Sequence, residues 1–148
     1  MTRCTELKKY FPQGEYTRET FDTKCKKLFD SIDIYSNNYK CCQLSSVNFI
    51  NKLDIGQNRE LIVTAILLTN GKIEPYEDNF IKLESGYWYV KNNRMIIIYT
   101  YLNNVTGVTL TRKVVRKICC KNKFYEKSYN LENNTYVFKT NNIIKKKY

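Results

Sequence analysis

The sequence predicts an α+β fold, an N-terminal amphipathic helix packed on a mostly antiparallel sheet or small barrel, with an OB-like barrel as one possible form. Three observations predict it. Apolar residues recur at helical spacing from Phe21 to Ile32. The stretch 59–102 holds two runs that are apolar on both strand faces, together with the only Trp. Asn70-Gly71, Ser85-Gly86 and Asn92-Asn93 cut that stretch at the dipeptides that favour tight turns. A chain of 148 residues is about one domain, and 43% hydrophobic and 14% aromatic content is globular. Residues 1–148 therefore read as one domain: a helical part (1–58), a β-rich part (59–140) and a basic tail (141–148).

The elements follow in order. Pro12 and Gly14 close a helical turn at 5–10. Thr17 is placed to cap the first long helix, with Glu19 in its first turn. Phe21, Cys25, Leu28, Phe29 and Ile32 form its apolar stripe, which ends before Ser36-Asn37-Asn38. Tyr39–Leu44 is a short strand. Residues 47–53 fit a helix capped by Ser45 or Ser46 and fit a strand nearly as well. Leu61–Leu68 is a central strand, with Asn70-Gly71 as the hairpin after it. Pro75 limits the return pairing, and Phe80–Leu83 resumes it. Tyr87–Lys91 alternates, with Tyr87, Tyr89 and Lys91 on one face and Trp88 and Val90 on the other. Arg94–Leu102 is the second doubly apolar strand, and Val105–Leu110 reads as another. The run 109–121 reads as strand at its start. Beyond Lys113 its β-branched residues favour strand, while its amphipathicity favours helix. Tyr136–Lys139 is a last strand before a frayed tail at 145–148.

Charge is distributed unevenly. Residues 1–86 carry 12 Lys and Arg and 12 Asp and Glu; residues 87–148 carry 13 cations against only Glu126 and Glu132, the whole of the +11. One basic face or tail made for a polyanion is the implication. Heavy use of Asn, Lys, Ile and Tyr points to AT-rich coding, as in a large DNA virus or a parasite. No secretory h-region and no spanning apolar run is present, so an intracellular, soluble protein in cytoplasm or nucleus is expected, with no membrane span. The sequons at Asn104 and Asn133 are then coincidental.

Several chemistries are disfavoured. With no His in the chain, Ser-His and Cys-His nucleophile pairs and His-containing zinc sites are excluded. Of six Cys, Cys41-Cys42 and Cys119-Cys120 are adjacent, unlike the spaced knuckles of a Cys₄ zinc site. The expectation is reduced thiols, with Cys25 and one of each pair buried, and neither metal nor cofactor. Glu74, Glu77, Asp78 and Glu84, with Lys82 nearby, are the only carboxylate group that a metal-dependent nuclease could use, and they match no motif. The five Gly are isolated and turn-like, so no phosphate loop is present.

The basic, aromatic second half remains. Arg112, Lys113, Arg116, Lys117, Lys121 and Lys123 are the candidate phosphate contacts. Tyr87 and Tyr89 are the candidate stacking platforms, on a strand pattern that Tyr99 and Tyr101 continue. Cations that neutralise phosphates beside rings that accept bases are how single strands are held. The expected function is that of a small, non-enzymatic nucleic-acid-binding accessory protein, backbone-directed, not sequence-specific, and favouring single strands. The alternative is a viral or host-directed interaction module whose basic face docks an acidic protein. The metal-dependent nuclease is the weaker alternative.

Overall fold

The computed structural model of the protein describes residues 3–27, 33–37, 39–40, 43–50, 62–68, 70–79, 81–132 and 135–147. Among these residues one short helix, α1 (Arg3–Tyr10), precedes eleven strands. These are β1 (Gly14–Phe21), β2 (Asp33–Asn37), β3 (Tyr39–Lys40), β4 (Gln43–Ile50), β5 (Ile62–Leu67), β6 (Tyr76–Glu77), β7 (Ile81–Lys91), β8 (Arg94–Asn103), β9 (Thr109–Cys120), β10 (Lys123–Glu132) and β11 (Thr135–Lys146). Eight of them form a curled antiparallel half-barrel in the order β2-β1-β11-β10-β9-β8-β7-β6, and β3-β4-β5 form a smaller sheet. From β6 to β11 each strand pairs with its sequence neighbour, and β1 closes on β11. This is an up-and-down meander, whereas an OB-type barrel is a Greek key.

Turn chemistry sets the meander. Asn92 and Asn93 both take positive φ (53° and 59°), the two-residue geometry whose twist matches a hairpin. Asn122 (φ 60°) turns β9 into β10. The loop between β8 and β9 is organised by Asn103, whose Oδ1 accepts from the amides of Val105 and Thr106. Gly107 supplies the positive φ (75°) that this loop requires. Strand β9 therefore starts at Thr109, four residues later than Val105. The chain turns at Asn70-Gly71, with Gly71 at φ 83°, but in a loop longer than two residues: the Leu68 amide donates to the Lys72 carbonyl and Leu67 bridges Ile73. Ser85-Gly86 makes no turn and lies within β7.

One sheet face carries the core. Trp88, Met95, Ile97, Tyr99, Tyr101, Ile81, Leu83 and Val114 are buried against Leu7, Tyr10 and Phe11 of the N-terminal helix and its C-terminal end. Leu67 and Ile73 join them, and Trp88 Nε1 donates to the Leu68 carbonyl at 2.8 Å. Each large apolar side chain buried in this way contributes about 1.5–3 kcal/mol. Toward β10, β11 and β1 the same face becomes polar, with Arg18, Arg112, Arg116, Glu126, Asn130 and Asn142 all buried.

The structure corrects the N-terminal reading. Residues 17–21 belong to β1 and pair with β11; they do not open a helix. The helical spacing of Phe21 and Cys25 arises across a strand end and a tight loop, so it reflects no shared helix face. Residues 28–32 of that stripe lie outside the described residues. The helical reading of 1–58 gives way to strands over most of 14–50, and among the described residues of that part only Arg3–Tyr10 is helical. The strand reading of 47–53 holds as far as Ile50. The run 109–121 is strand through Cys120, and residues 141–146 complete β11, so most of the expected basic tail is paired sheet.

Candidate nucleic-acid interface

Because β9 is a strand, its cations divide between two faces. Arg112, Val114 and Arg116 point to the core side; Lys113, Val115 and Lys117 point away from it. Arg116 is 0% exposed and Arg112 is 2% exposed. Arg116 Nη1 donates to Glu126 Oε2 at 2.7 Å, and its Nε donates to the Tyr10 carbonyl at 2.6 Å. The guanidinium lies between the rings of Phe11 and Phe124, 4.1 and 4.4 Å from their centroids. Arg112 Nε donates to Asn130 Oδ1 at 3.0 Å. Two of the four central phosphate contacts expected from sequence are therefore core residues.

The other candidates gather on the outward face. Lys113 is half-buried there and Lys117 is exposed. Lys123 is half-buried with its Nζ 5.5 Å from the Tyr125 ring centroid, and Lys121 is exposed in the turn before it. Tyr87 is 49% exposed and stacks on Tyr89, with centroids 6.1 Å apart and planes 14° from parallel. Tyr99 and Tyr101, two residues apart like the first pair, fall on the core face and are fully buried.

Sequence reasoning missed part of this face. Register places Lys91, Arg94, Lys117, Tyr125 and Ile143 in one row across β7 to β11. The next row is Tyr89, Ile96, Val115, Lys127, Asn141 and Phe21. A third holds Tyr87, Ile98, Lys113, Tyr129 and Lys139, with Lys139 Nζ 5.2 Å from the Tyr129 centroid. Strands β8, β9 and β11 contain no Asp or Glu. On β1 the outward carboxylates are Glu15, at the strand's start, and Glu19, which pairs with Lys27 at 3.6 Å. The signal for the missed residues was the period of two in β10, where Tyr125, Lys127 and Tyr129 alternate with the buried Phe124, Glu126 and Ser128.

A cleft of about 530 Å³ opens on this face. Val115 and Ile143 contribute to its lining, as do Phe21 and Cys25 where β1 runs into the following loop. Asp22 holds that loop: its Oδ1 accepts from the amides of Lys24 and Lys26 at 2.8 Å each, and its carbonyl accepts from Asn141 Nδ2.

The sequence reading buries Cys25 and one of Cys119 and Cys120, whereas the structure buries none of the three; Cys41 and Cys42 lie outside the described residues. Cys25, Cys119 and Cys120 are all exposed and free. A hydrogen bond with Tyr125 lowers the Cys119 pKa below the ordinary thiol value, helped by Cys120, Lys123 and Lys117 and opposed by desolvation. The Cys120 pKa is raised, first by its hydrogen bond to Cys119. Of the acidic group, Asp78 is a turn residue, accepting from the Ile81 amide and the Tyr76 hydroxyl. Among the described residues no three His, Cys, Asp or Glu side chains converge as around a metal ion, and no helix is long and apolar enough to cross a membrane.

Comparison with protein families, with curated proteins and with solved structures finds no match to this chain.

Proposed function

We propose that this protein is a non-enzymatic accessory factor that binds single-stranded nucleic acid through the outward face of its large sheet. The observation that carries the reading is the juxtaposition of Lys91, Arg94, Lys113, Lys117, Lys127 and Lys139 with the rings of Tyr87, Tyr89, Tyr125 and Tyr129 on one continuous surface. Phosphates meet cations along the rows, and bases meet flat rings between them. Such contacts read the backbone and a π-face, so little sequence preference follows. The protein acts in this reading as a soluble intracellular component. Presenting a sheet face to a single strand is also how OB folds bind, by a topology this chain does not share.

The test is binding of a labelled single-stranded oligonucleotide across a salt series. The expected result is tight binding at low salt and a steep linear loss on a log–log plot. An absence of binding at low salt would remove the proposal. A partner that stays bound to the protein after nuclease digestion would favour an acidic protein in its place. Magnesium-dependent cleavage of the oligonucleotide, abolished by Glu77→Gln, would favour the nuclease.

A further inference from the structure

We infer that the cleft beside Phe21 accepts a nucleobase, so that one base of the bound strand leaves the stack and enters the sheet face. The inference rests on the nucleic-acid reading above and goes beyond it, since a purely electrostatic surface needs no cleft. At about 530 Å³ the space falls within the roughly 300–1,000 Å³ typical of small-molecule sites. Its lining combines what a base and its phosphate require. Phe21, Tyr125 and Tyr129 are rings, and Val115 and Ile143 supply an apolar surface. Lys117 and Lys127, also in the lining, carry the charge for the flanking phosphates.

The cleft is built and does not depend on a floppy loop. Phe21 pairs in register with Asn141, and the chain beyond it is tied down by the Asp22 carboxylate and the Phe21–Lys27 bridge. Asn141 Nδ2 donates to the Asp22 carbonyl, and the remaining amide oxygen is an acceptor of the kind that meets a base's N–H edge. Glu126 and Asn142 border the cleft, but both side chains are buried on the opposite face, where Glu126 is held by Arg116. No carboxylate side chain of β10 or β11 therefore opposes the phosphates at the described positions of the cleft.

Cys25 gives the cleft its own reporter, because the thiol is exposed and lies in the lining. The experiment measures iodoacetamide alkylation of Cys25 by peptide mass spectrometry in the full chain. The protein is saturated with a thymidine oligomer or with an abasic deoxyribose-phosphate oligomer of equal length, occupancy being checked by anisotropy. Both probes carry the same charge, so only base insertion separates them. The thymidine oligomer should slow Cys25 alkylation about tenfold, and the abasic oligomer should leave it within about twofold of the free protein, the contrast expected for a stacked base. Phe21→Ala and Tyr129→Ala should each weaken thymidine binding about tenfold and abasic binding little. Tyr129→Ala alters a residue outside the core, so the test survives if Phe21→Ala folds poorly.

Thymidine oligomer bound with Cys25 reacting at the free rate would overturn the inference and leave the sheet-face reading standing. Equal protection by both oligomers would also overturn it, since backbone alone would then cover the cleft. Failure of the thymidine oligomer to bind at low salt would overturn both readings.

Discussion

Arg116 and Glu126 form an ion pair at 2.7 Å between adjacent strands, with side-chain exposures of 0% and 2%. The pair is held from three sides, by the Tyr10 carbonyl and the rings of Phe11 and Phe124. It fastens the end of the N-terminal helix to the middle of the sheet. Removing one partner leaves the other charge out of water without compensation. Glu126→Gln should therefore cost about 3–5 kcal/mol of stability. The double change Arg116→Met with Glu126→Leu should cost much less, because no unpaired charge remains. Urea unfolding of the three proteins measures both values. A Glu126→Gln loss under about 1 kcal/mol, as at an exposed pair, would contradict this account.

The same division of β9 separates the core cations from those of the proposed binding face. Lys113 and Lys117 face outward with Lys127 and Lys139, while Arg112 and Arg116 face the core. Replacing the four lysines with Gln should flatten the salt dependence of single-strand binding by about 0.7 per lost phosphate contact, close to ~3 in all. Arg112→Gln should lower the unfolding midpoint and leave the slope unchanged. A slope that responds to Arg112 and ignores the lysines would place the interface on the wrong face.

Tyr87 tests the aromatic half of the surface. The residue is 49% exposed and its ring stacks on that of Tyr89. Tyr87→Ala should cost about 1–3 kcal/mol of binding to a thymidine oligomer, the range for one stacked base. The loss of the ring pair should cost about 1 kcal/mol of stability. Binding that is indifferent to Tyr87, measured by anisotropy at one fixed salt concentration, would leave the surface purely electrostatic.

Local chemistry made some of this legible and hid the rest. The turns at Asn70-Gly71 and Asn92-Asn93 were readable because few residues tolerate positive φ. The Tyr87–Lys91 alternation was readable because a strand side chain has a period of two. Residues 17–21 were misread because Phe21 and Cys25 also fit a helical spacing, and pairing with a strand more than 100 residues away leaves no local mark. Arg112 and Arg116 were misplaced for a related reason. Arg in a basic run looks like solvent-facing charge, and only its distant partners, Tyr10 and Glu126 for Arg116 and Asn130 for Arg112, show it is core. Once β9 is known to be a strand, the face of every cation in it follows.

Gly86 sits where β7 crosses β8 opposite Tyr99. A Cβ there would lie 2.7 Å from Ile73 Cδ1, 2.9 Å from Tyr99 Cβ and 3.0 Å from the Ile98 carbonyl oxygen. The Ile73 methyl is the end of a side chain and can shift; Tyr99 Cβ and the Ile98 carbonyl belong to a central strand and cannot do so easily. Gly86→Ala should destabilise by about 1–3 kcal/mol through overpacking. Adding Ile73→Val removes the shortest contact and should recover part of that loss. An unchanged melting temperature for Gly86→Ala would mean that the strand relaxes at no cost.

Cys119 and Cys120 are adjacent and both exposed, yet they should not react alike. The Tyr125 hydrogen bond stabilises the Cys119 thiolate first, and Cys120, Lys123 and Lys117 add to it, so its pKa lies below the ordinary thiol value. Cys120 is pushed the other way, because the hydrogen bond it shares with Cys119 and the charge on that neighbour favour its protonated form. Only the thiolate is nucleophilic, so raising the pH from neutrality should expose Cys119 to iodoacetamide before Cys120. Tyr125→Phe removes the leading cause and should move Cys119 alkylation to higher pH, while added salt should weaken only the lysine contribution. Peptide mass spectrometry across a pH series reads both thiols separately. Cys120 reacting first, or a Cys119 profile untouched by Tyr125→Phe, would show that the hydrogen bond does not set the order.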